Sequence, residues 1–171
     1  MAKTALLVME IQTDYFWEKR LKKFHYDGET LIANVNAAIA KYSADGADIV
    51  YFWQVFPDTP TNRLAFGFNI AGTEGAKPDA RLNIVSEYAF EQNIADIFAD
   101  PRIAAFFEAQ GYDSYVLCGI DLCGSILAAA KGARAKGAAV TVLKDCCGTR
   151  FDTRRIGETK GALRMCGAVL A

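Results

Sequence analysis

Residues 4–11, "TALLVMEI", are apolar at every position except Thr4 and Glu10. A run without polar alternation suits a strand covered on both faces, because both sets of side chains must then leave water. Similar runs return in "ADIVYFWQVF" (47–56), "YDSYVLCGI" (112–120) and "AAVTVLKD" (138–145), and "NIVSEY" (83–88) reads as a short third strand. The segments between them carry the helical period. "ETLIANVNAAIAKYSADG" sets Leu31, Ile32, Val35, Ala38, Ile39 and Tyr42 on one face and stops at Gly46. "FEQNIADIFA" (90–99) and "DPRIAAFFEAQG" (100–111) also read as helical, the second with Asp100 as N-cap and Pro101 in the first turn. "GSILAAAKGARAKG" (124–137) predicts another helix. "RRIGETKGALRMCGAVLA" predicts a helix closing the sequence, with no edge strand after it. The stretch 57–82, rich in Pro, Gly and Asp, reads as a long irregular loop.

Strands that alternate with helices require right-handed parallel crossovers. The expected fold is therefore α/β: a three-layer α/β/α sandwich with a central, mostly parallel, Rossmann-like sheet, formed as a single domain over residues 1–171. Such sheets bind ligands beyond the carboxyl ends of their strands, where the strand order switches. That rule directs attention to Glu10, Gln12 and Asp14 after the first strand and to Ser86 and Glu87 near the third. It also selects Asp121–Ser125 after the fourth strand and Asp145–Cys147 after the fifth.

Composition narrows the partners. A formal net charge of −1, with no basic stripe, argues against nucleic acid. The apolar N-terminal run is too short for a membrane span and lacks a cleavage site. The five cysteines (118, 123, 146, 147 and 166) are odd in number and match no zinc spacing, even with the single histidine, His25. Reduced thiols, a cytoplasmic location and no cofactor or metal are the corresponding expectations. Cys118, on a buried strand, is expected to be an inert core thiol.

Four segments, in order, resemble the isochorismatase-like hydrolases, a family that includes nicotinamidases and N-carbamoyl amidohydrolases. "LLVMEIQTDYF" is similar to the family's apolar strand followed by Asp-x-Gln-x-Asp-Phe, and "YAF" (88–90) to its Ser-Ala-Phe after the third strand. "GIDLCGSILAAAKGARAKG" is similar to the glycine turn, the cysteine and the Ala-rich helix, and "VTVLKDCCGT" to the strand ending in Asp-Ala-Cys-Ala-Ser. The resemblance implies hydrolysis of a C–N amide or vinyl-ether type bond in a small polar metabolite, and a homo-oligomer. It also implies a non-proline cis peptide, which falls between Ile120 and Asp121.

The family's Asp–Lys–Cys triad is altered in this sequence. Glu10 stands at the base position, with two readings open: a general base, or a strand-end carboxylate bonded to backbone. Counting forward from Gly119 and back from Gly137 puts the nucleophile position at Ser125. Cys123 fits only with a shortened turn, and a helix-capping role for Ser125 stays open. Gln12, Asp14, Asp121 and Gly124 are expected to line the substrate pocket, with backbone N–H groups around Gly124 and Ser125 as oxyanion donors. The positions just before "YAF", Asn83 to Ser86, hold no lysine; Lys77 lies in the preceding loop and Lys144 near the end of the fifth strand. The metal set implied by nicotinamidase relatives, an Asp and two His, cannot be completed with one histidine. The alternative reading is a degenerate member that binds a small molecule or serves as an oligomeric scaffold. Phe56, Phe66 and Phe68 in the middle loop are expected to line either a pocket or a subunit interface.

Overall fold

The structure is a computed structural model and describes residues 3–17, 24 and 26–171. Six strands form one sheet: β1 (Thr4–Met9), β2 (Asp48–Gln54), β3 (Ala89–Gln92), β4 (Ser114–Ile120), β5 (Ala139–Gly148) and β6 (Val169–Leu170). Their order is β3-β2-β1-β4-β5-β6, and every neighbouring pair is parallel. The helices are α1 (Gly28–Ala44), α2 (Pro60–Ala65), α3 (Pro101–Gln110), α4 (Leu127–Ala135) and α5 (Thr153–Met165).

The unbroken apolar run of β1 is explained by its two covers. Ala5, Leu7 and Met9 face the layer of α3, α4 and α5, where Ile103, Phe107, Ala129 and Leu163 are buried. Leu6 and Val8 face α1 and its Leu31, Ile32, Val35 and Ile39. Residues 5–9 are all fully buried, and each large apolar side chain among them contributes about 1.5–3 kcal/mol. A group at the end of β1 is thus mounted on one of the best-anchored strands. The chain runs from β1 outward to β3, then adds β4 on the other side of β1. A crevice opens between the carboxyl ends of β1 and β4 for that reason.

Three expected elements are corrected. The third strand is not 83–88 but Ala89–Gln92, paired with Tyr51–Gln54. In the earlier segment, side chains replace the ladder: Ser86 Oγ donates to the Ile49 carbonyl (2.5 Å), and the Tyr51 hydroxyl bridges Asn83 O and Val85 N–H. Residues 90–99 are not a helix, because Phe90–Gln92 belong to β3 and only a 3-10 turn, Ile97–Ala99, follows, capped by Asp96. The closing helix stops at Met165, and Gly167, at φ +85°, turns the chain back. Val169 and Leu170 then pair with Thr141 and Val142, so a final edge strand is present. Asp100 does cap α3, accepting from Arg102 N–H (2.8 Å), with Pro101 in the first turn.

Candidate active site

Glu10 leaves β1 with φ +53°, a conformation uncommon for a non-glycine residue that costs about 1–3 kcal/mol. Its N–H is held by the Phe52 carbonyl (2.8 Å). Across the crevice, the Ile120–Asp121 peptide bond is cis, and a π-helical turn, Leu122–Ile126, leads into α4. Ser125 sits in that turn, and its Oγ lies 2.5 Å from Glu10 Oε1. Both residues are buried, at 5% and 1% exposure.

Two further groups hold the carboxyl. Gln92, at the end of β3, donates from Nε2 to Glu10 Oε1 (3.1 Å). The Tyr15 hydroxyl lies 3.4 Å from Oε2 and donates to Gln54 Oε1 at 2.9 Å. Burial pushes the Glu10 carboxyl from its ordinary 4.5 up to about 7; the bond from Ser125 pulls it down and the nearby Asp121 charge pushes it up. Gln92 Oε1 is buried without a hydrogen-bond partner among the described residues. By turning over, an amide presents either a donor to a carboxylate or an acceptor to a protonated carboxyl, which an ammonium cannot do.

Glu10 and Ser125 open onto a cleft of about 680 Å³ that Tyr15, Gln54, Asp121, Cys123, Gly124, Arg150 and Phe151 also line. Phe56, Phe66 and Phe68 form part of its wall, with Phe56 and Phe66 stacked at 4.0 Å. A pocket-lining position for these three rings follows. Asp121 anchors the turn: Oδ1 accepts from Cys123 N–H (2.8 Å) and from Thr149 Oγ1 (2.5 Å).

Several expected site residues lie elsewhere or are engaged otherwise. Gln12 is fully buried and braces backbone, with Nε2 donating to Gln54 O and Ala76 O while Oε1 accepts from Gln54 N–H. Substitution Gln12→Leu leaves those groups unpaired, and urea denaturation should read a loss of about 2–4 kcal/mol. Asp14 accepts from Asn69 N–H (2.7 Å), packs on Gly75, and borders a separate hollow with Trp17 and Arg63. The Gly124 N–H donates to the Asp121 carbonyl (3.0 Å), so it is not available as an oxyanion donor while that bond stands. Lys77 pairs with Glu74 and Lys144 with Asp145, both away from the cleft. Cys118 is fully buried and its thiol is pushed well up by burial.

Gln92, Tyr15, Gln54 and Arg150 were not among the expected site residues. With β3 at 89–92, "YAF" starts the strand instead of following it, and the position preceding the post-strand turn is Gln92. The misplaced strand thus hid the residue that touches Glu10.

The profile of the Isochorismatase domain matches residues 4–170. The chain belongs to the isochorismatase family. No curated protein matches it by sequence. Among solved structures of similar fold is an isochorismatase family protein from Desulfovibrio vulgaris (18% identity, 99% of this chain and 94% of that chain, TM-score 0.84). N-carbamoylsarcosine amidase from Thermoplasma acidophilum is another (19%, 98% and 95%, 0.78). A third is the pyrazinamidase of Pyrococcus horikoshii in complex with zinc (19%, 99% and 98%, 0.83).

The described residues of this isochorismatase-family chain do not fit such a metal. Its one histidine, His25, lies outside the described residues. No three His, Cys, Asp or Glu side chains converge among the described residues. No described helix is long and apolar enough to cross a membrane.

Proposed function

We propose that the protein is a hydrolase of a small polar metabolite in which Ser125 attacks and Glu10 moves the proton. The 2.5 Å contact between Ser125 Oγ and Glu10 Oε1, buried at the head of the cleft, carries this reading. On an amide substrate, Ser125 Oγ bonds to the carbonyl carbon as its proton passes to Glu10. Glu10 then returns that proton to the nitrogen as the C–N bond breaks, releasing the amine and leaving an acyl ester on Ser125. Water repeats the exchange: its proton goes to Glu10, its oxygen bonds to the acyl carbon, and Ser125 leaves with the proton. A carboxyl that titrates near 7 is matched to both directions of transfer at neutral pH. Gln92 and Tyr15 hold it in place without a positive charge, which would lower its pKa, leave it ionised at neutral pH and weaken it as a proton acceptor.

The same raised pKa favours a second reading. A protonated Glu10 can deliver its proton to the terminal carbon of a vinyl ether, after which water adds to the oxocarbenium carbon, returns a proton to Glu10, and the hemiketal splits to a carbonyl compound and an alcohol, with no ester formed on Ser125. Treatment with p-nitrophenyl acetate, followed by intact-mass and peptide mapping, separates the two. The first reading expects one acetyl group per chain on Ser125, abolished in Ser125→Ala and retained in Cys123→Ala. Labelling lost only in Cys123→Ala would assign the attack to the thiol. Slow labelling scattered over several cysteines removes the nucleophile and leaves acid catalysis by Glu10 or the binding and scaffold role.

A further inference from the structure

The cleft holds two opposite charges that do not meet each other. Asp121 and Arg150 both line it, and no ion pair joins either to a described residue. Elsewhere in the chain Arg63, Arg81 and Arg102 each clasp a nearby aspartate at 2.5–2.9 Å. Arg150 instead has its guanidinium 5.1 Å from the Phe151 ring centre. On Asp121, both internal bonds converge on Oδ1, which leaves Oδ2 with no described partner. The two groups flank the reacting pair electrostatically, since the Asp121 charge acts on Glu10 and the Arg150 charge acts on Tyr15. Opposite charges held apart in one cleft gain most from a ligand that carries both complements.

Building on the hydrolase reading, we infer that the cleft selects a zwitterionic small molecule, an ammonium-bearing group meeting Asp121 Oδ2 and a carboxylate meeting the Arg150 guanidinium. A guanidinium can take a carboxylate through two parallel bonds. The aromatic wall of Phe56, Phe66 and Phe68 then accommodates the carbon skeleton between the charges. In this arrangement Asp121 and Arg150 set specificity, and Ser125 and Glu10 do the chemistry.

The test uses the full chain with Ser125→Ala, so that binding is read without turnover, and saturation-transfer NMR titrations of four probes: L-glutamine (zwitterion), N-acetyl-L-glutamine (anion), 4-aminobutanamide (cation) and butanamide (neutral). L-glutamine should bind about 10- to 100-fold more tightly than either singly charged probe, the range for one charge-assisted bond. Adding Asp121→Asn keeps the Oδ1 acceptor that anchors the turn and should equalise L-glutamine with the anion. Adding Arg150→Gln should equalise it with the cation; thermal melts confirm that both variants are folded. Equal binding of the zwitterion and the anion to the parent protein overturns the inference. So does binding that neither substitution alters, or binding by none of the four probes. If this charge signature holds while acetylation of Ser125 fails, the proposed chemistry falls and the zwitterion site stands. Acetylation without the signature leaves hydrolysis intact and removes the selectivity.

Discussion

Replacing Glu10 with Gln should make the protein more stable at pH 8 relative to wild type than it is at pH 5, by about 2–3 kcal/mol. The carboxyl titrates near 7 in the folded protein and near its ordinary 4.5 when unfolded. Its folded pKa is therefore the higher one, and the folded state holds the proton more tightly. The stability this confers is fully present below pH 4.5 and is lost as pH rises through about 7. Glu10 is fully buried, so solvent screening does not reduce the effect. Gln keeps an oxygen to accept from Ser125 and carries no charge, so the variant lacks this decline. Urea denaturation at the two pH values checks it; parallel pH profiles for the two proteins would mean that Glu10 is not held protonated. The same substitution should lower the rate of Ser125 acetylation by about 10²–10⁴-fold, the usual contribution of a positioned proton acceptor. In wild type that rate should rise with pH through about 7, because attack needs Glu10 ionised. Vinyl-ether hydrolysis, which needs Glu10 protonated, would fall over the same interval.

Gly119→Ala should be the most disruptive single substitution near the site. Gly119 lies on β4 opposite Met9 of β1, and a Cβ built there falls 2.0 Å from the Met9 carbonyl oxygen. Its φ of +114° is also one that L side chains rarely adopt. Overpacking and backbone strain together cost about 2–6 kcal/mol. Backbone atoms form the obstacle, so no flexible side chain can yield. The melting temperature should fall by about 5–20 °C for a chain of this size, and the displaced Met9 should carry Glu10 away from Ser125. A melting point within a degree or two of wild type would show that the strands do not approach this closely.

The strands legible in the sequence are those with buried apolar side chains. β1, β2 and β4 show as apolar runs because both faces of each are covered, and β5 shows through the buried side chains of Val140 and Val142. The third strand was misplaced because edge pairing lacks that signature: residues 83–88 have strand-like composition, yet Ser86 and Tyr51 side chains take over the hydrogen bonds there. β6 leaves no mark in the sequence because two residues carry no period, and its pairing with β5 depends on the turn at Gly167.

The site divides in the same way. Glu10 and Ser125 were legible as positions, because each follows a strand whose limits the sequence marks. Gln92 was not, since it depends on the register of the edge strand. Gln12 and Asp14 were expected to face a ligand, but polarity near a strand end does not reveal whether a side chain meets substrate or backbone. The sequence by itself determined the family, the layers of the sandwich and the two residues at the head of the crevice, because periodic burial and local spacing are written along the chain. Only the tertiary structure decided that Gln92 and Tyr15 hold Glu10, that burial raises its pKa, and that Asp121 and Arg150 stay apart. Those properties come from the distances and dielectric surroundings created when segments more than a hundred residues apart in the sequence are packed together.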